Sequence, residues 1–142
     1  MTSALITGSF VALITPMNAD GTIDFEGFRT LIQFHEENGT SAILFMGSTG
    51  EVSMLSAEER HAIVRETMKM RSGKMHFYYG CTGTTTAATI DYVRQAGAEG
   101  ADGAIIAAPA YICASNADIG RGRDVADQST IPLGFYNNPP RV

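Results

Sequence analysis

Ala42-Ile43-Leu44-Phe45-Met46 is an unbroken apolar run, followed at once by Gly47-Ser48-Thr49-Gly50-Glu51, a turn with two glycines and two hydroxyls. Five residues suit a strand and are too few for a helix. Apolarity without alternation marks a strand covered on both faces. The signal recurs at intervals of about 30 residues. Phe10-Val11-Ala12-Leu13-Ile14 precedes it, while Phe77-Tyr78-Tyr79, Ala104-Ile105-Ile106-Ala107-Ala108 and Leu133-Gly134-Phe135-Tyr136 follow. Parallel strands need long crossover connections, usually helical. The chain is therefore expected to be an α/β protein of alternating strands and helices.

The intervals carry the helical signals. Asp24 can cap a helix with Phe25, Phe28, Leu31, Ile32 and His35 on one stripe, ending near Asn38-Gly39. Ser56-Ala57-Glu58-Glu59 is a capping box, followed by Ile63, Val64, Thr67 and Met68 at helical spacing. A third helix is predicted from Thr86 to Ala98, with Ala87, Ile90, Val93 and Gly97 inward and Gly97, Gly100 and Gly103 closing it. The fourth would place Ile119, Val125 and Ala126 inward. Gly120 and Gly122 interrupt that stripe at about 1 kcal/mol each, so this helix is expected to be short, frayed or distorted.

With 142 residues and 44% apolar side chains, one domain with a sizeable core can form. A net charge of -5 with no basic run argues against a nucleic-acid partner. Cys81 and Cys113 lie in apolar stretches at a spacing that suits neither a disulfide framework nor a metal site, and read as reduced thiols. No basic, apolar leader and no run near ~18 apolar residues occurs, so a soluble cytoplasmic protein without membrane contact is expected.

Three places could carry chemistry. Gly47-Ser48-Thr49-Gly50-Glu51 can offer hydroxyls and backbone amides to a carboxylate or phosphate, or be an ordinary tight turn. Glu51 stands where a nucleotide-binding loop needs lysine. Tyr136, with Asn137-Asn138-Pro139 after it, can relay protons if a hydroxyl such as that of Thr49 polarises it, or can be a rim tyrosine in water. Arg141 can clamp a carboxylate or be solvated, and Tyr111 in Ala108-Pro109-Ala110-Tyr111 is a second phenol whose default role is packing.

Taken in order, the Gly-Ser-Thr-Gly-Glu turn, the Pro-Ala-Tyr after the fourth strand and Tyr136-Asn137-Asn138-Pro139-Pro140-Arg141 resemble the dihydrodipicolinate synthase and N-acetylneuraminate lyase family. Val11-Ala12-Leu13-Ile14-Thr15-Pro16 and Leu55-Ser56-Ala57-Glu58-Glu59-Arg60 are similar to its first strand and second helix. The resemblance implies a TIM (β/α)8 barrel, of which residues 1–142 would be the N-terminal portion, about the first five strands and four helices. It implies a lyase or aldolase that condenses or cleaves a 2-oxo acid such as pyruvate through a lysine imine, with no cofactor and no metal. Ser48 and Thr49 would bind the substrate carboxylate, Tyr136 would be the acid-base residue, and Thr49 would belong to its relay. Tyr111 would complete the relay of a neighbouring subunit, making a homodimer or homotetramer. Arg141 would receive the carboxylate of an aldehyde substrate.

The sequence also departs from the family pattern. The Ser48-Thr49 pair is nearer to the sugar-acid lyases than to the synthases, and Ala110 replaces a tyrosine frequent in the synthases, so a sugar-acid dehydratase or keto-deoxy sugar acid aldolase stays open. The fourth helix is about one residue short of the family spacing. The imine lysine belongs to a sixth strand, and the only lysines here are Lys69, expected on the second helix, and Lys74, expected before the third strand. The chain alone is then expected to be inactive, and a catalytically inactive half barrel is a further reading. His35, His61 and His76 are not expected to converge as metal ligands, the first two lying on helices and the third before a strand.

Overall fold

The computed structural model describes residues 7–108 and 116–137, the latter with side chains from residue 120. Five strands alternate with four helices: β1 (Phe10–Ala12), α1 (Phe25–Glu37), β2 (Ala42–Phe45), α2 (Ala57–Met70), β3 (His76–Gly80), α3 (Thr86–Ala98), β4 (Gly103–Ala107), α4 (Asn116–Asp127) and β5 (Leu133–Tyr136). All strand pairs are parallel and the sheet order is β1-β2-β3-β4-β5. Consecutive parallel strands joined by right-handed crossovers put every helix on one side of the sheet. The architecture is α/β, an open five-strand arc of a (β/α)8 barrel with one face under helices.

Local chemistry sets the helix ends. The Asp24 carboxylate accepts from the Gly27 amide, and α1 ends at Asn38 before Gly39 at φ +73°. Ser56 and Glu59 close the expected capping box on α2, and the Thr85 hydroxyl caps α3. The core lies between helices and sheet, with Phe28 and Ile32 of α1, Ile63 and Val64 of α2 and Val93 of α3 against Ile43, Phe45, Phe77 and Tyr79. Phe45 stacks on Tyr79 at 5.1 Å between ring centroids and meets Phe77 edge-on.

Two expectations on the sheet and its helices are corrected. Burial alternates along β3, so this strand is not covered on both faces among the described residues: Phe77 and Tyr79 are buried, while His76, Tyr78 and Gly80 are half-buried. Helices cover one face of the five-strand sheet. On α3 the buried side chains are Thr89, Val93 and Ala96, and Ala87 is exposed. The stripe turns because the Thr89 hydroxyl is satisfied locally, accepting from the Gly83 amide and donating to the Thr85 carbonyl.

The fourth helix is also corrected: it runs for 12 continuous residues. Val125 is buried, and a Cβ at Gly122 would stand 2.6 Å from the Phe135 ring, so that glycine admits β5's aromatic side chain. Close packing on β5 offsets the poor helix propensity. Ala126 is exposed rather than inward. The Ile119 side chain lies outside the described residues. His76 opens β3 instead of preceding it.

Candidate functional site

Parallel strands bring their carboxyl ends to one edge, and the candidate residues gather there by topology. Gly47–Glu51 leaves β2 as a tight turn in which Gly50 N donates to Gly47 O at 3.1 Å and Glu51 N to Ser48 O at 3.1 Å. Gly50 is tightly enclosed: a Cβ there would stand 3.1 Å from the Leu13 carbonyl and 3.2 Å from Met46 N. Met46 and Glu51 flank the turn in the left-handed region, at φ +55° and +54°. Non-glycine residues hold that conformation only where the surroundings impose it. After Glu51 comes a single 3-10 turn, Val52–Met54, and then α2.

Three hydrogen bonds from two side chains brace the turn and its surroundings. Buried Thr15, just past β1, donates through Oγ1 to the Gly50 carbonyl at 2.7 Å. On the other side Arg60 donates from Nη2 to the Val52 carbonyl at 2.8 Å and from Nη1 to the Thr82 carbonyl at 2.9 Å. Ser48 and Thr49 are exposed, and neither hydroxyl has a hydrogen-bond partner among the described residues. The turn's own bonds use the amides of Gly50 and Glu51, so fewer free amides remain than the sequence suggested.

Tyr136 ends β5 in register with Ala107. Alternation places Phe135 on the helix side, against Gly122, and Tyr136 on the opposite, inner face. Its side chain is 54% exposed. Tyr136 and Thr49 lie at the same edge of the sheet, without a hydrogen bond between them. β3 and β4 intervene in the sheet, a separation of roughly 14 Å along the arc at about 4.8 Å per strand. Tyr111, Arg141 and Cys113 lie outside the described residues.

The lysines stand elsewhere. Lys69 is exposed on α2 and pairs with Glu66 at 3.0 Å. Lys74 lies before β3 and lines a hollow of about 450 Å³ at the opposite end of the sheet, with Ser41 and His76. His35 bonds Thr40 at 2.9 Å on the helix side, His61 meets the edge of the Tyr92 ring, and His76 lies 3.3 Å from Asp102. Among the described residues no group of three His, Cys, Asp or Glu side chains could hold a metal ion. Cys81, just past β3, is buried, and burial pushes its thiol up to about 12, partly countered by Arg60. No described helix is long and apolar enough to cross a membrane.

Sequence reasoning missed Thr15, Thr82 and the function of Arg60. Thr15 and Arg60 were visible as parts of motifs, yet nothing in one dimension tells which carbonyl a hydroxyl or guanidinium will reach.

Comparison with known proteins agrees with this geometry. Residues 5–142 match the Dihydrodipicolinate synthetase family. The 4-hydroxy-tetrahydrodipicolinate synthase of Laribacter hongkongensis is 36% identical over 139 residues, covering 97% of this chain and 48% of that protein. The chain thus spans about half the length of the curated relatives it matches. The crystal structure of dihydrodipicolinate synthase from Aquifex aeolicus superposes with a TM-score of 0.89 at 36% identity, over 94% of this chain and 46% of the other. YagE of E. coli K12, a prophage protein of the dihydrodipicolinic acid synthase family solved in complex with pyruvate, gives 0.91 at 36% identity, over 97% and 47%. With the strand order, the strand-end turn and these likenesses in agreement, the chain belongs to the dihydrodipicolinate synthetase family.

Proposed function

We propose that this chain supplies the carboxylate cradle and the proton-relay tyrosine of a lyase that handles a 2-oxo acid, pyruvate or a close relative, as a lysine imine. The observation that carries the reading is the Gly47–Glu51 turn, held in strained geometry at the strand ends with two hydroxyls exposed and unpaired among the described residues. A carboxylate accepts hydrogen bonds only, so the Ser48 and Thr49 hydroxyls suit it without a charged side chain. The pyruvate complexes of YagE and of the Acinetobacter baumannii dihydrodipicolinate synthase support the substrate class.

An imine at C2 of a 2-oxo acid withdraws electrons from C3, so a C3 proton is lost or a C3–C4 bond breaks. Tyr136, on the inner face, takes and returns the proton, with Thr49 as its relay partner. Lys69 and Lys74 are placed away from the strand ends, so the imine lysine is assigned to a position beyond Val142, and residues 1–142 to the N-terminal part of one barrel domain. Arg141 would receive the carboxylate of an aldehyde substrate. Tyr111 would serve a neighbouring subunit's relay, which requires a homodimer or homotetramer, and the cytoplasm is the proposed location. The Ser48-Thr49 pair equally suits a sugar-acid dehydratase or keto-deoxy sugar acid aldolase of the same family.

Exchange of the pyruvate methyl protons in D2O, followed by proton NMR on the full-length gene product, tests this. Enzyme-dependent exchange that falls at least a hundredfold in Tyr136→Phe is expected. Exchange no faster than in buffer would overturn the reading.

A further inference from the structure

We infer that Arg60 is a positioning residue for the Gly47–Glu51 cradle, setting its shape without touching substrate; this rests on reading that turn as the carboxylate site. Arg60 lies in the first turn of α2, next to Glu58 and Glu59. A cation there faces the positive end of the helix dipole, whereas the two glutamates suit it. Helix chemistry therefore does not explain the arginine, and its contacts do.

Its two Nη groups hold carbonyls from two different strand-end loops, Val52 after β2 and Thr82 after β3. Val52 is the residue that closes the cradle, its amide lying 3.5 Å from the Gly47 carbonyl. Thr82 in turn accepts the Ala107 amide on Oγ1 at 2.9 Å, linking the end of β4 to the same network. The guanidinium lies over the Tyr92 ring, 4.7 Å from its centroid. Aiming both Nη atoms at the loops leaves Nε buried and unmatched among the described residues. Side-chain direction is thus dictated by the two carbonyls. A planar fork can bridge two acceptors while stacking on a ring, which a single ammonium cannot do. Together with Thr15 on the β1 side, Arg60 grips the cradle from both flanks.

The test uses Arg60→Gln and Arg60→Lys in the full-length protein, with amide hydrogen exchange of the segments 46–55 and 82–85 and steady-state kinetics on pyruvate. Arg60→Gln should speed exchange in both segments by at least tenfold while the α3 core keeps its rate. It should raise KM for pyruvate by about tenfold with kcat within threefold, because a loosened cradle weakens ground and transition states alike. Arg60→Lys, keeping one donor group, should fall between. Unchanged loop exchange, or a loss confined to kcat, would overturn the assignment. If the wild type does not bind pyruvate, the cradle reading fails, and the exchange rates still decide whether Arg60 orders the two loops.

Discussion

Thr15 Oγ1 lies 2.7 Å from the Gly50 carbonyl, so the residue just past β1 fixes the turn that leaves β2. Both groups are buried, and that carbonyl would lose its partner if the hydroxyl were removed. Thr15→Val keeps the shape and should cost about 1–3 kcal/mol, the usual result of orphaning a buried acceptor. A urea titration of the two proteins checks this. A midpoint equal to that of the wild type would show that the bond contributes nothing.

Gly80 faces the Met46 carbonyl so closely that an added Cβ would collide with it. Backbone cannot rotate aside as a flexible side chain does. Gly80→Ala should therefore lose about 1–3 kcal/mol or more and displace Met46, whose left-handed φ of +55° leads into the Gly47–Glu51 turn. Thermal denaturation reads the first effect and a crystal structure the second.

The α2 helix meets the sheet through one buried polar pair. Thr67 Oγ1 lies 2.6 Å from the Ile63 carbonyl and 2.8 Å from the Tyr79 hydroxyl. A threonine has one hydroxyl proton; once it is given to Ile63, Tyr79 must be the donor to Thr67. Thr67→Val strands the tyrosine O–H and should cost about 1–3 kcal/mol, more than Tyr79→Phe, which removes that donor and leaves only an acceptor short. Chemical denaturation of both variants orders the two costs, and the reverse order would show the proton on the other side.

Burial raises the Cys81 thiol to about 12 from its ordinary value of 9.0 and shifts Tyr79 upward as well, again mainly by desolvation. Both are acids whose neutral form the fold prefers. The folded state keeps the Cys81 proton where the unfolded chain has lost it, so this contribution is complete below about pH 9 and fades between 9 and 12. Stability should fall through that window in denaturant titrations. Iodoacetamide at pH 8, mapped by peptide, should leave Cys81 unlabelled in native protein and label it in urea.

Much of this fold can be read from local chemistry. The capping box at Ser56, the cap at Asp24 and the β5 run from Leu133 to Tyr136 appear where the sequence placed them, because each depends on near neighbours. The fourth helix was misread because the reason for Gly122 is a ring on another element, Phe135. The alternation of burial on β3 was also hidden, since Phe77, Tyr78 and Tyr79 are all apolar enough for either face. At the site, the glycines and hydroxyls of Gly47–Glu51 were legible as a tight turn leaving a strand. Its supports were not, because the bond from Thr15 to Gly50 and those from Arg60 to Val52 and Thr82 cross between elements.

The most direct measurement is reductive trapping with borohydride in the presence of pyruvate on the full-length protein, with the adduct mapped by mass spectrometry. One adduct is expected, on a lysine beyond Val142 and on neither Lys69 nor Lys74, with a half-saturating pyruvate concentration that rises about tenfold in Ser48→Ala/Thr49→Val. Absence of an adduct, or an adduct on Lys69 or Lys74, would contradict the account.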